Sequence, residues 1–209
     1  MKKRVFPLPV YFVFLLILFA CGTKPESTAA ELVDVSQPPV QEMLATPKVI
    51  KFSGKEYQGT ITLKATYVVR GIVVGREKYS SGWQSAISPY DIALCWGTLA
   101  QNNLYKKLSW SQSGRWYYWR YGSDFGYDNS LVIPNSSNNH IIPSKPALAG
   151  VIGDLSVGKK VEIEGFLADV RAGNKEGRKV WWNSSTSRED TADGSCEIIY
   201  VTGVTVDGR

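Results

Sequence analysis

Residues 109–121, SWSQSGRWYYWRY, constrain the fold more than any other stretch of the chain. Six aromatic residues fall within thirteen positions: Trp110, Trp116, Tyr117, Tyr118, Trp119 and Tyr121. Aromatic side chains are accepted best by a pleated, half-buried surface, so the run predicts a β-strand. Successive strand residues point to opposite faces. Arg115, Tyr117, Trp119 and Tyr121 then share one face, and Trp116, Tyr118 and Arg120 the other. Trp116 and Tyr118 are expected to face a core. Arg115, Tyr117 and Trp119 are expected on a surface that touches a ligand or partner.

The flanking sequence predicts further strands. From 61 to 69 every odd position is apolar (Ile61, Leu63, Ala65, Tyr67, Val69), a period-two strand. Gly71 and Gly75 bracket Ile72-Val73-Val74, and glycines inside a strand mark bulges or coiling. One long bent strand to about residue 79 is therefore expected. Ser88-Pro89-Tyr90-Asp91 reads as a helix start, with Ile92, Trp96 and Leu99 at helical spacing, so a helix is expected over 89–101. Residues 122–145 have the Gly, Asp, Asn, Ser and Pro content of a long irregular loop. Ser144 is expected to cap a second helix carrying Leu148, Val151, Ile152 and Leu155 on one face. Strands are expected over 160–170, 179–182 and 196–206. This order predicts a mostly β domain, a small closed or partly open barrel with two helices, in which the aromatic run is the third strand. An α+β antiparallel sheet is the alternative.

The amino terminus carries a different signal. Lys2, Lys3 and Arg4 precede an apolar run ending in Leu18-Phe19-Ala20-Cys21-Gly22. The run suits a secretory h-region and is short for a membrane span. It resembles a bacterial lipoprotein signal, which implies cleavage after residue 20 and acylation of Cys21. An uncleaved signal anchor is the alternative, and either places the domain outside the cytoplasm. Gly22 in place of an acid implies the periplasmic face of the outer membrane; the outer face of the cytoplasmic membrane is the alternative. Residues 21–50 are rich in Pro, Ser, Thr and Glu and predict a flexible tether, with a reach of roughly 30 Å. Residues 51–209 are expected to form a single domain. The formal charge of +5 falls to +2 once Lys2, Lys3 and Arg4 are counted with the leader. Phosphate contacts dominate nucleic-acid affinity, so a nucleic-acid binder or nuclease is disfavoured.

Two further resemblances concern the domain. Residues 155–165, LSVGKKVEIEG, resemble the corresponding strand of OB-fold domains. Ser88-Pro89 with Asp91, Trp96-Gly97, the SQSGRWYYW block, His140 with Pro143, and residues 182–197 resemble an uncharacterised family of bacterial exported proteins. That resemblance spans residues 67–202 and implies one domain. It carries no catalytic residue with it.

His140 is the sole histidine, and no Cys-x-x-Cys, His-x-x-x-His or Asp-x-Asp cluster appears, so no metal and no cofactor is expected. A Ser-His-Asp set can be drawn from His140, Asp91 or Asp190, and Ser113, Ser184 or Ser185, without a Gly-x-Ser-x-Gly elbow. Ser156 and Lys159 fit Ser-x-x-Lys but lie in a turn. Cys95 and Cys196, in an oxidising compartment, are candidates for a disulfide contributing about 4–5 kcal/mol, with two separate thiols or a nucleophilic Cys196 as alternatives. Residues 183–191 set hydroxyls, Arg188 and Asp190 beside Trp181-Trp182, as ligand sites often do.

The ligand-binding candidates are therefore Arg115, Tyr117, Trp119, His140, Trp182, Arg188 and Asp190. The expected function is a non-enzymatic binding module, held to the membrane by lipid, for a glycan, peptide, anionic polymer or envelope protein. A hydrolase using His140 with Arg115 and a carboxylate is the alternative. A direct test of the anchor is detergent-phase partitioning of the expressed chain. The parent chain should enter the detergent phase and take up a labelled fatty acid, and Cys21→Ser should take up none; equal labelling of the two, or none in either, would refute acylation.

Overall fold

The computed structural model describes residues 33–187 and 196–208. The period-two pattern produces its longest element. Ile61, Leu63, Ala65, Tyr67 and Val69 are buried, and the residues between them are half-buried. They belong to β2 (Tyr57–Lys78). One edge of β2 meets β7 (Lys160–Asn174). Its other edge meets β1 (Val40–Ser53) first and β3 (Tyr90–Cys95) afterwards. Register shifts at Leu63/Ala65 and Val73/Gly75 mark the irregularities that let one strand serve three neighbours.

Pairing continues from β3 to β6 (Ser136–Pro143), which runs parallel to β9 (Glu197–Val206). β9 pairs with β7, and β7 returns to β2, so the pairings of β2, β3, β6, β9 and β7 make a closed circuit. β8 (Lys179–Trp182) extends the sheet from β7. A separate two-stranded sheet holds β4 (Leu108–Ser113) and β5 (Trp116–Tyr121). The helices are short: α1 (Gly97–Gln101), α2 (Asn129–Val132) and α3 (Pro146–Gly153). The protein is mostly β, as its pattern predicts. No helix among the described residues is long and apolar enough to cross a membrane.

Three apolar clusters hold these elements. The largest joins Tyr67, Ile92, Leu94, Ile141, Ile163 and Ile199 from the five circuit strands with Leu148 and Ile152 of α3. A second lies under the β4–β5 hairpin and includes Ile72, Val74, Ala93, Cys95, Leu99, Leu108 and Phe125. A third packs Ile61, Ile142, Val170 and Ile198 with Trp83 and Trp182.

Several expectations are corrected. The helix over 89–101 is strand β3 followed by α1. Ile92 and Leu94 face the first cluster while Ala93 and Cys95 face the second. A strand buried on both faces reads as a continuous apolar run, which mimics helical spacing. Within the expected loop, residues 136–143 form β6, buried along nearly its whole length despite its Ser and Asn content. The second helix is capped at Lys145, not Ser144, with Pro146 opening it. Residues 33–50 do not behave as a tether: Val33 and Val35 are buried in the second cluster, Gly97 N–H donates to Val35 O at 2.8 Å, and β1 pairs along β2. The described cysteines form no disulfide; Cys95 is fully buried, and burial pushes its thiol pKa up.

The aromatic run is likewise not one strand and adds none to the large sheet. It breaks at Gly114 (φ 58°) and Arg115 (φ 75°), with Ser113 opposite Trp116. Two successive left-handed residues form the tight turn whose twist matches a hairpin. Trp110 pairs with Trp119 and Gln112 with Tyr117, so these four share a face. Tyr117 and Trp119 pack on the second cluster while Tyr118 is 50% exposed, the reverse of the expected faces.

Close backbone approach at β7 and β9 depends on Gly165, where a Cβ would sit 2.2 Å from Tyr200 O beside a register shift. Gly165→Ala should therefore destabilise the protein by about 1–3 kcal/mol, read as a lower urea midpoint. An unchanged midpoint would show that the β7–β9 contact is looser than described.

Candidate functional site

Cross-strand pairing builds the site. Asp91 of β3 lies directly opposite His140 of β6, and Ala93 opposite Asn138. Directly opposed residues on one face have Cβ atoms about 5 Å apart. His140 Nδ1 accordingly lies 2.9 Å from Asp91 Oδ1, with both side chains buried. The two atoms are close without meeting hydrogen-bond geometry at Nδ1. Two residues along, Asn138 Nδ2 donates to Arg115 O at 3.0 Å and sits 3.5 Å from Asp91 Oδ2.

Arg115 reaches this niche from the hairpin tip. Its Nη1 donates to Asp91 Oδ1 at 2.7 Å and its Nη2 to Ser88 O at 2.9 Å. The guanidinium lies 3.9 Å over the Tyr79 ring, whose hydroxyl accepts from Arg115 N–H at 3.0 Å. Burial raises the Tyr79 phenol above its ordinary pKa, so it stays neutral. A left-handed, non-glycine Arg115 costs about 1–2 kcal/mol in backbone conformation. These contacts to backbone and side chain hold it there. Gln112 follows the tip inward, donating from Nε2 to Asn138 Oδ1 at 2.8 Å. Gly75 leaves it the room, since a Cβ there would meet Gln112 Oε1 at 2.5 Å.

A cleft of about 540 Å³ opens beside this pair. Gln84, Arg115, Trp116, His140 and Cys196 line it together with Trp181, Trp182 and Asn183 from the end of β8. Trp182 is fixed from behind by the His140 ring, 4.5 Å between centroids, and by the edge of Trp83 at 6.1 Å. Trp181 is 68% exposed. Asn183 Oδ1 accepts from Arg171 Nη1 at 2.6 Å, which sets its amide orientation. Since His140 Nδ1 faces Asp91, Nε2 is the ring nitrogen available to the cleft.

Of the residues expected to bind a ligand, Arg115, His140 and Trp182 meet here. Tyr117 and Trp119 do not. They lie on the other side of the hairpin, where Tyr117 stacks with Trp110 and Trp119 Nε1 donates to Asn129 Oδ1 at 2.9 Å, and they border a shallow recess along β5. Arg188 and Asp190 lie outside the described residues. Ser184 and Ser185 turn their hydroxyls to backbone groups, Ser184 Oγ accepting from Ile198 N–H at 3.0 Å, and neither they nor Ser113 line the cleft. Lys159 N–H donates to Ser156 O in a turn before β7. Among the described residues, no three His, Cys, Asp or Glu side chains converge as a metal site would. Tyr79, Gln112, Asn138 and Gln84 were not picked out as site residues by sequence, and Asp91 was drawn only as one of two acids that could partner His140. The pairing register is what sets Asp91 directly opposite His140.

Comparison with protein-family models, curated proteins and solved structures gave no match for this chain.

Asp91 is fully buried and the Arg115 side chain only 15% exposed. Removing one partner of a buried pair costs about 3–5 kcal/mol, because the other charge is left uncompensated. Arg115→Ala and Asp91→Ala should each lose roughly that much stability in chemical denaturation, and the double variant much less than their sum. Additive losses would show that the two side chains act independently.

Proposed function

We propose that this chain is an envelope-tethered lipoprotein whose domain is an OB-like barrel acting as a non-enzymatic binding module. The observation that carries this reading is the position of the cleft relative to the strand circuit. A five-stranded Greek-key barrel of the OB type binds its ligands on its second and third strands, between the loops that join strands one to two and four to five. The circuit β2-β3-β6-β7-β9, taken in chain order, has one parallel pair and a helix between β6 and β7. Gln84 lies between the first and second of these strands, His140 on the third, and Trp181, Trp182, Asn183 and Cys196 between the fourth and fifth. The cleft thus draws its walls from the segments that such barrels use, and a hairpin inserted between strands two and three supplies Arg115 and Trp116.

A hydrolase is the second reading, favoured by one observation: Asp91 orients His140 with Nε2 toward the cleft. General-base catalysis uses that arrangement; the candidate serines lie outside the cleft, which leaves Cys196 of its lining or a water as the nucleophile.

Amide hydrogen exchange on the full chain separates these readings. Added solubilised envelope polymers should slow exchange in residues 82–88 and 179–187, and His140→Ala should change no turnover of ester, amide or glycoside substrates. Protection confined to other segments, or a turnover that His140→Ala abolishes, would overturn the binding-module reading.

A further inference from the structure

Resting on that reading of the cleft, we infer that the ligand is a neutral saccharide, one of whose rings stacks on Trp181, and not an anionic polymer. The argument begins with charge. Arg115 is the one permanently charged side chain among the described residues lining the cleft. Its charge is balanced at 2.7 Å by the fully buried Asp91, and its guanidinium face is covered by Tyr79. A phosphate or carboxylate entering here would meet a pair with no net charge to attract it, would be repelled by the Asp91 carboxylate, and would gain a full ion pair with Arg115 only by displacing Asp91. Breaking that pair leaves a buried carboxylate uncompensated, which is strongly unfavourable. A hydroxyl makes no such demand, because it can accept from guanidinium N–H groups that Asp91 and Ser88 do not occupy; a guanidinium has five.

The remaining lining fits the same class of ligand. Gln84 and Asn183 contribute amides, each a donor and an acceptor, and polyols need both. Asn183 Oδ1 is occupied by Arg171, so its NH2 is the free end and meets a ligand as a donor. Trp116, Trp181 and Trp182 bring apolar ring faces, of which Trp181 is the most exposed large apolar side chain among the described residues. The volume falls within the range of sites for small ligands, roughly 300–1,000 Å³. A nucleobase would also stack on tryptophan, but its strand brings phosphates, and the described lining has no unbalanced cation for them. Flat apolar faces, two amides and a neutralised arginine together select for a ring with hydroxyls and no charge.

The test titrates the intrinsic fluorescence of the full chain, held in a non-glycosidic detergent, with four probes at low and high salt. Cellotetraose and tetra-N-acetylchitotetraose are the neutral probes; an oligogalacturonate and oligothymidylate are the anionic ones. The expected result is a tryptophan shift with a neutral tetrasaccharide, with affinity changing by less than about twofold across the salt range. Trp181→Ala should weaken it by about tenfold or more and Trp181→Phe by much less, since stacking survives on the smaller ring. Because Trp181 is exposed, both variants should keep the parent circular dichroism spectrum. Binding of the anionic probes alone, falling steeply with salt, would overturn the inference while leaving a ligand site in the cleft. Neutral binding untouched by Trp181→Ala would also overturn it. No response to any probe, confirmed by calorimetry, would remove the inference, and the absence of exchange protection by envelope polymers would remove the cleft reading with it.

Discussion

A carboxylate with no exposure to water has to be answered by a charge, and in this fold Asp91 is answered by Arg115. The pair sets the geometry around it. Asp91 sits on a central strand, where directly opposed His140 and neighbouring Asn138 fill the same face. Arg115 arrives from a hairpin that belongs to another sheet, and the tip can approach only because its two turn residues are left-handed. A buried ion pair is weak evidence for net stability, because desolvation offsets much of the attraction. What it supplies here is position. Shifting the tip by one residue would leave Asp91 facing Gly114 or Trp116, neither of which carries a charge.

The pair has a support on each side. Beneath the hairpin, Tyr117 and Trp119 pack with Trp110 on the second apolar cluster, so the hairpin is held along its length and not by its tip alone. Gly75 adds to this by leaving space for Gln112, whose amide oxygen would lie 2.5 Å from a Cβ there and would have to move. On the far side, Trp182 covers His140 and is itself braced by Trp83. The polar niche is therefore enclosed by aromatic rings from segments about a hundred residues apart in sequence, and it forms only when β8 lies on β7 and the hairpin lies on β3.

Where the sequence was legible, one face of an element was buried and the other was not. The alternation of residues 61–69 predicts β2 correctly because its odd positions enter the core and its even ones do not. β3 fails that condition: both its faces are covered, so the period is lost and the spacing of Ile92, Trp96 and Leu99 suggests a helix. β6 fails in the opposite sense. Its Ser and Asn side chains resemble loop chemistry, yet Asn139 donates to Ile92 O and Ser136 Oγ to Val132 O, so polar residues are buried at little cost. The aromatic run contained its own turn signal in Ser113-Gly114, outweighed by the density of β-favouring rings on either side. Residue chemistry alone pointed to Arg115, His140 and Trp182. The acid that organises them depends on strand register, which no local pattern encodes.

The two tryptophans at the end of β8 show how the site combines rigidity with access. Adjacent strand residues point to opposite faces, and Trp181 and Trp182 do differ sharply: one is exposed, the other packs on His140. Both nevertheless line the same cleft. That is consistent only with a cleft that wraps the free edge of β8, which ends the sheet order and pairs with β7 alone among the described strands. A terminal strand with a charged edge would discourage other chains from pairing there. β8 instead presents a ring, and Lys179 lies at its far end. The cleft therefore has an inner wall fixed by the Arg115–His140 face and an outer wall that carries the exposed Trp181 indole.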